Sequence, residues 1–193
     1  MTIRAILWDF GGTLADETWM LAPFAGDDGW PELYREVLDT DDLVSRWNEG
    51  EARTADVVEA LACRSGKARG AILTHMHTCC RNLKFHERVM DLAARTALPQ
   101  ALATINPDIF TEVVVPHYAL SSRFDVITTS WQEGLSDKAL LCEIARMWLD
   151  HSLTPAECLL VDNLQANIDA WRARGGSGLH FTGEDALLAA WPL

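Results

Sequence analysis

RAILWDFGGTL, residues 4–14, is the segment that decides the fold class of this protein. The run from Ala5 to Trp8 is apolar at every position, which is typical of a strand buried on both faces of a parallel sheet. Such sheets bind ligands at the carboxyl ends of their strands, where Asp9 lies. Gly11 and Gly12 carry no side chains that would keep the backbone away from a phosphate or a metal ion. Asp9 is therefore a candidate nucleophile, although an aspartate that only caps a turn fits the same segment.

Length and composition are those of a globular protein that does not bind polyanions. The chain has 193 residues, of which 49% are hydrophobic and 23% charged, and it suits one domain or a core domain with a modest insertion. Because 28 acidic residues outnumber 16 basic ones, the net charge is -12. We therefore expect neither nucleic acid nor an anionic membrane as a partner. A phosphorylated substrate would need local positive charge from a metal ion, a lysine or backbone N–H groups.

The cysteines and the N-terminus favour a soluble cytoplasmic protein. Five cysteines fit no fully paired framework, so free thiols in a reducing compartment are expected. The N-terminal apolar stretch runs directly into Asp9 and lacks the longer apolar region of a signal peptide. No uninterrupted apolar run approaches the ~20 residues needed to cross a bilayer. The oligomeric state stays open.

The chain from about residue 16 to residue 98 has a helical pattern throughout. Apolar residues recur at helical spacing, and no segment has the alternation of a strand. Helix boundaries are predicted from Pro31 in a first turn, from Thr40 and Thr54 as N-caps, and from Gly50 and Gly66 as helix ends. This pattern predicts a helical bundle inserted after the first strand.

The remainder of the chain alternates short apolar strands with amphipathic helices. Strands are predicted at residues 100–104, 125–129, 158–162 and 178–181, and helices after residue 107, over 138–149 and over 165–174. This alternation predicts an α/β fold, a Rossmann-like doubly wound parallel sheet with an inserted helical cap. Residues 1–15 and 96–193 would form the core domain, and residues 16–95 the cap.

A second aspartate follows an apolar strand in the same way as Asp9. The run CLLV of residues 158–161 places Asp162 at the carboxyl end of its strand, so the two carboxylates can share one site if their strands are neighbours. Two carboxylates repel each other unless a cation lies between them, and Mg²⁺ needs only one or two carboxylates beside waters and phosphate oxygens. Asn163 and Asn167 could bond the waters of the metal or fix the loop. A helix N-cap is the alternative role for Asp162.

Two further strand ends add polar groups to the same edge of the sheet. The segment of residues 100–106 delivers the hydroxyl of Thr104 and the amide of Asn106, which suit phosphate oxygens just before a helix N-terminus. Lys138 begins the helix after the third strand, and it could offset charge on both the nucleophile and the phosphoryl group. A solvated lysine in a first helical turn is the alternative for Lys138.

Together these residues resemble the haloacid dehalogenase-like hydrolases, in the branch with a helical cap inserted after the first strand. The segment DFGGTL of residues 9–14 resembles the first motif, Thr104 the second, Lys138 the third, and Asp162 with Asn163 and Asn167 the fourth. The resemblance implies that Asp9 attacks a phosphate, forms an aspartyl-phosphate and is assisted by Lys138. It also implies Mg²⁺ held by Asp9, the Gly11 carbonyl and Asp162, and substrate held by Gly12, Thr104, Asn106 and Lys138.

One position departs from the family pattern in a way that affects the chemistry. Phosphatases of the family usually have a second aspartate two residues after the nucleophile, and this chain has Gly11 there. That aspartate protonates the leaving group, a contribution worth ~10²–10⁴ in rate. Either another group supplies the acid, or the activity favours substrates with good leaving groups.

The sequence thus predicts a Mg²⁺-dependent phosphomonoesterase that acts on small phosphorylated metabolites. One alternative is a haloacid dehalogenase, in which Asp9 would attack carbon without a metal; Asp162 argues against it. Another alternative is a phosphate-binding or protein-binding module that has lost turnover together with the acid. No local motif names the substrate, because residues of the cap would select it.

Overall fold

A five-stranded parallel sheet forms the centre of the molecule in the computed structural model, which describes residues 2–24 and 26–192. The strands are β1 Ala5–Trp8, β2 Gln100–Thr104, β3 Val126–Thr129, β4 Cys158–Asp162 and β5 Ser177–His180. Their order across the sheet is β3-β2-β1-β4-β5. The predicted α/β class is confirmed, and each predicted strand lies within a residue of its observed bounds.

Ten α-helices surround or extend the sheet in the part of the chain that is described. Five lie between β1 and β2: α1 Trp30–Asp39, α2 Leu43–Asn48, α3 Thr54–Ser65, α4 Arg69–Arg81 and α5 Glu87–Arg95. The others are α6 Val115–His117, α7 Ser130–Glu133, α8 Lys138–Leu149, α9 Gln165–Ala173 and α10 Glu184–Ala190. A π-helical turn, Phe110–Val114, precedes α6 where a regular helix was expected. The division of the chain at residues 15 and 96 into core and cap stays a prediction.

The register of the sheet brings the predicted site residues to one edge. Trp8 of β1 pairs with Leu102 of β2 on one side and with Val161 of β4 on the other. Asp9, directly after β1, and Asp162, the last residue of β4, therefore lie at the same level on neighbouring strands, as predicted. β1, β2 and β4 are buried at every position, which explains why they contain few polar residues.

A buried carboxylate connects the inserted helices to the segment after β2. Asp108 is only 3% exposed. It accepts hydrogen bonds from the indole of Trp47 (2.8 Å), from the backbone N–H (3.0 Å) and hydroxyl (2.5 Å) of Thr54, and from the N–H of Ile109 (2.9 Å). Since Trp47 lies in α2 and Thr54 begins α3, one carboxylate holds both helices.

Two predicted N-caps are wrong, because each hydroxyl bonds a group other than the helix that follows it. Thr54 is the first residue of α3 and donates its hydroxyl proton to Asp108, so tertiary contact replaces the local cap. Thr40 lies in a 3-10 turn and donates to the Glu36 carbonyl (2.9 Å), while α2 begins after Asp42. Gly66 ends α3 with a φ of 70°, as predicted.

We expect Asp108→Ala to lower the free energy of unfolding by on the order of 3 kcal/mol, because several buried donors lose their acceptor at once. Asp108→Asn, which keeps one acceptor oxygen, should lose less. Urea denaturation at equilibrium measures both. Asp28→Ala, at an exposed position, is the matched control, and equal stability of the Asp108→Ala and Asp28→Ala proteins would show that the network adds nothing.

The cysteines and the helices test the expectations about disulfides and membrane-spanning segments. All five cysteines are free, four of them buried and Cys63 exposed, which confirms the expectation of unpaired thiols. In the described residues, no helix combines the length and the apolar character that crossing a membrane requires.

Candidate active site

The carboxylate of Asp9 lies at the centre of the site. Its backbone N–H donates to the Val161 carbonyl (2.9 Å), which continues the pairing of β1 with β4 past the end of the strand. The side chain is 7% exposed. Oδ1 accepts hydrogen bonds from the Lys138 ammonium (2.5 Å) and from the Thr104 hydroxyl (3.3 Å). Neither of these donors bonds to the second oxygen, Oδ2.

Lys138 joins the two acidic strand ends. It begins α8, where the Asp137 side chain caps the helix by accepting from the Leu140 N–H (3.0 Å). Its ammonium lies 2.5 Å from Asp9 and 3.2 Å from Asp162, and it donates to the Ala103 carbonyl (2.8 Å). The solvated-lysine alternative is excluded, because Lys138 is 4% exposed.

Electrostatics keep this buried lysine charged. Burial by itself lowers the pKa of Lys138, but the carboxylates of Asp9 and Asp162 outweigh that effect, so the net pKa is raised. Burial also raises the pKa of Asp9, while the attraction of Lys138 acts in the opposite direction. One ammonium thus offsets part of the repulsion between the two carboxylates.

Asp162, which was predicted to bind Mg²⁺, is more deeply buried than a metal ligand needs to be. It is completely buried. Oδ1 accepts from the Leu164 N–H (2.8 Å) and the Asn167 amide (3.0 Å), and Oδ2 accepts from the Asn167 amide (3.0 Å) and forms an ion pair with Lys138. The contact of Asn167 was one of the roles expected for that residue, since it fixes the loop. Both oxygens of Asp162 therefore already have donors.

The side chain of Asn163 lies between Asp9 and the glycine turn. Its amide is 3.3 Å from Asp9 Oδ2 and 3.3 Å from the Gly11 carbonyl oxygen. With its nitrogen facing them, the amide donates to both; with its oxygen there, three oxygens meet and need a cation between them. A Cβ at Gly12, where φ is 73°, would lie 2.2 Å from the Asn163 nitrogen, so this turn requires glycine. The Gly12 N–H already donates to the Ala15 carbonyl (2.7 Å).

Thr104 and Asn106 are held together at the end of β2. The Asn106 amide donates to the Thr104 hydroxyl oxygen (2.7 Å), and the Thr104 hydroxyl donates to Asp9. The Asn106 backbone is fixed by Ser130, whose hydroxyl accepts from the Asn106 N–H (3.0 Å) and donates to its carbonyl (3.2 Å). Ser130 was not predicted; the polar run TTS at residues 128–130 at a strand end is the signal that could have found it.

A cavity of about 220 Å³ opens over Asp9, at the small end of ligand sites. It is lined by Asp9, Gly11, Glu17, Thr104, Ile105, Asn106, Lys138, Asn163, Leu164 and Asn167. Most of the predicted residues thus share one cavity, whereas Gly12 and Asp162 lie outside its lining and Glu17 was missed. A larger cavity of about 760 Å³ near Gln100 and Trp148 contains none of the predicted residues, so we place the chemistry in the smaller one.

Comparison with known proteins identifies the fold. No protein-family model matches the chain, and no curated protein matches its sequence. Among solved structures, a haloacid dehalogenase (HAD) family enzyme from Bacteroides thetaiotaomicron matches with a TM-score of 0.77 at 17% identity, over 98% of each chain. The chain has the haloacid dehalogenase-like fold. An L-2-haloacid dehalogenase from Xanthobacter autotrophicus, with chloropropionic acid covalently bound, shares this haloacid dehalogenase-like fold (TM-score 0.70, 17% identity, 100% of this chain and 85% of that one).

The Bacteroides enzyme has also been solved in complex with magnesium and inorganic phosphate, and that structure matches with a TM-score of 0.73 at 17% identity, over 92% of this chain and 93% of that one. At such identities the likeness establishes the haloacid dehalogenase-like fold and nothing further. The reaction depends on the side chains that this chain places at the edge of its sheet.

Proposed function

We propose that this protein is a Mg²⁺-dependent phosphomonoesterase of small phosphorylated metabolites that acts through an aspartyl-phosphate on Asp9. The observation that carries the proposal is the buried Asp9 carboxylate, which is paired with Lys138 through Oδ1 and lines a small polar cavity. The Bacteroides enzyme crystallised with magnesium and phosphate supports this choice. The free thiols suit a reducing compartment, so we propose the cytoplasm as its location.

The oxygen atoms at the site fit Mg²⁺. With its oxygen turned toward them, the Asn163 amide lies 3.3 Å from Asp9 Oδ2 and 3.3 Å from the Gly11 carbonyl oxygen, and Mg²⁺ prefers such hard oxygen ligands. Asp162 was predicted as the third ligand, but its oxygens are engaged by Lys138, Asn167 and a backbone N–H. We therefore propose that Asn163 joins Asp9 and Gly11 around the metal, and that Asp162 orients Lys138. A bound Mg²⁺ would neutralise charge on the phosphate oxygens.

The residues of the chain account for the covalent steps. The Asp9 carboxylate attacks phosphorus, the bond from phosphorus to the leaving oxygen breaks, and the leaving oxygen takes up a proton. Water then attacks the phosphorus of the aspartyl-phosphate, which releases inorganic phosphate and restores the carboxylate. In this proposal Thr104 and Asn106 bind phosphate oxygens, and Lys138 stabilises the charge that develops on them.

Dehalogenation is the second candidate, because one observation favours it. Lys138 contacts both carboxylates directly, so Asp9 is held in place without a metal. In that reaction Asp9 attacks the carbon that bears the halogen, halide leaves, and water hydrolyses the ester. The structure of the Xanthobacter dehalogenase, with its covalently bound chloropropionic acid, supports keeping this candidate.

Product assays separate the candidates. The purified protein should release phosphate from p-nitrophenyl phosphate with Mg²⁺, lose that activity in EDTA and regain it when Mg²⁺ is restored. Halide release from chloropropionate in EDTA, without phosphate release, would support the dehalogenase instead. Calorimetric binding of phosphate with no turnover of any phosphoester would support the non-catalytic module and overturn the proposal.

A further inference from the structure

We propose that Glu17 carries the proton to the leaving group in place of the side chain that Gly11 lacks. This inference rests on the proposed phosphomonoesterase function and adds a catalytic residue to it. Glu17 belongs to no motif of the resemblance, and its place in the site became visible only from the cavity that it lines together with Asp9.

The glycine turn leaves the space into which Glu17 extends. A Cβ built on Gly11 would lie 3.6 Å from the Cβ of Glu17, in ordinary contact. A Cβ built on Gly12 would lie 3.2 Å from Oε2 of Glu17, which is tight contact. The side chain of Glu17 therefore packs against the turn that follows Asp9, with its Cβ beside the space that a side chain at position 11 would enter and its carboxylate beside Gly12.

The backbone on both sides of Glu17 is fixed. The N–H of Asp16 donates to the Lys84 carbonyl (2.9 Å). The Asp16 carboxylate in turn accepts from the N–H (2.8 Å) and hydroxyl (2.7 Å) of Thr18. Among residues 2–24 and 26–192, the carboxylate of Glu17 has neither a hydrogen bond nor an ion pair. A fixed backbone with an unengaged carboxylate at the mouth of the cavity suits a group that exchanges protons with a ligand.

Glu17 accounts for the proton that moves in each of the two steps. In the first step, protonated Glu17 gives its proton to the leaving oxygen as the bond between that oxygen and phosphorus breaks. In the second step, the Glu17 carboxylate takes a proton from the water that attacks the aspartyl-phosphate. Glu17 is then protonated again. The net reaction is the addition of one water molecule to the phosphomonoester, which gives an alcohol and inorganic phosphate.

The test compares leaving groups. We expect Glu17→Gln to lower kcat on an alkyl phosphate such as glycerol phosphate by ~10²–10⁴-fold, because an alkoxide leaves poorly without a proton. On p-nitrophenyl phosphate, whose leaving group needs no proton, the loss should be only a few-fold. Glu17→Asp should recover part of the alkyl phosphate activity, and phosphate binding by Glu17→Gln, measured by calorimetry, should be no weaker than that of the native protein.

Asp16→Asn is the matched control, since it removes the neighbouring charge and keeps an oxygen for Thr18. An equal loss on both substrates in Glu17→Gln, or no loss on either, would overturn the role of Glu17 while the native protein remains a phosphatase. Failure of the native protein to hydrolyse either substrate would instead refute the proposed function, and the role of Glu17 with it.

Discussion

Asp9→Asn is expected to abolish phosphate release from every phosphomonoester, with a loss in kcat of at least ~10⁴-fold, because the amide cannot form the aspartyl-phosphate. The substitution keeps the size of the side chain and an oxygen that can accept from Lys138 and Thr104. The site should therefore stay assembled, and phosphate should still bind in the presence of Mg²⁺. Steady-state release of p-nitrophenol measures the first expectation and calorimetry the second.

The Asp9 experiment needs a control for loss of charge elsewhere. Asp91→Asn, at an exposed position in α5 where Asp91 pairs with Arg95, should keep full activity. The Asp9→Asn protein must first be checked for deamidation by mass spectrometry. If its kcat then exceeds ~10⁻³ of the native kcat, Asp9 is not the nucleophile. Trapping of the native enzyme during turnover should label Asp9 with phosphate, and an ester of the same residue formed from chloropropionate would indicate dehalogenation.

Lys138→Met is expected to lower kcat on p-nitrophenyl phosphate by ~10²–10³-fold, a loss comparable to removal of one group that stabilises charge in a transition state. Methionine preserves the volume of the side chain but leaves Asp9 and Asp162 facing each other without the shared ammonium. Because removal of one partner leaves buried charge uncompensated, the free energy of unfolding should also fall, by roughly 3 kcal/mol. Enzyme kinetics and urea denaturation measure the two effects.

Lys67→Met is the matched control for Lys138→Met. Lys67 forms an ion pair with Asp27 (2.8 Å) in which both side chains are partly exposed, so its loss should change stability by less than ~1 kcal/mol and leave kcat unaltered. If Lys138→Met retains native kcat, the ammonium does not act in the reaction. If it also retains native stability, the contacts of Lys138 with both carboxylates carry no net energy.

Local pattern was sufficient to predict much of the α/β core. The strands β1, β2 and β4 are largely apolar because they are buried on both faces, and the apolar runs at residues 5–8, 101–103 and 158–161 indicate that burial in the sequence. The predicted caps were wrong for two reasons: the Thr54 hydroxyl serves a tertiary partner, Asp108, and the Thr40 hydroxyl serves the end of the preceding helix. The π-helical turn at Phe110–Val114 was missed because its apolar spacing also fits an α-helix.

The residues of the site also divide into those that the local sequence predicts and those whose contacts only the tertiary structure shows. Asp9, Thr104, Asn106 and Lys138 could be predicted because each lies at or after the end of a strand, and parallel strands end at a common edge. The position of Glu17 could not be predicted in this way, and for Asn163 the strand end predicts the position but not the contacts. The neighbours of Glu17 depend on how the loop after β1 folds back over the glycine turn, and the contacts of Asn163 depend on which way its side chain turns.

The sequence by itself determined the parallel sheet, the position of the inserted helices along the chain and the convergence of two strand-end carboxylates at one edge of the sheet. These features follow from apolar runs and from strand ends, which depend on residues close in the chain. The tertiary structure alone decided that Asp162 is enclosed by donors, that Asn163 faces the Gly11 carbonyl and that Glu17 lies over the turn. Those contacts join β1 to loops far along the chain or folded back upon it, and no local pattern encodes the distance between them.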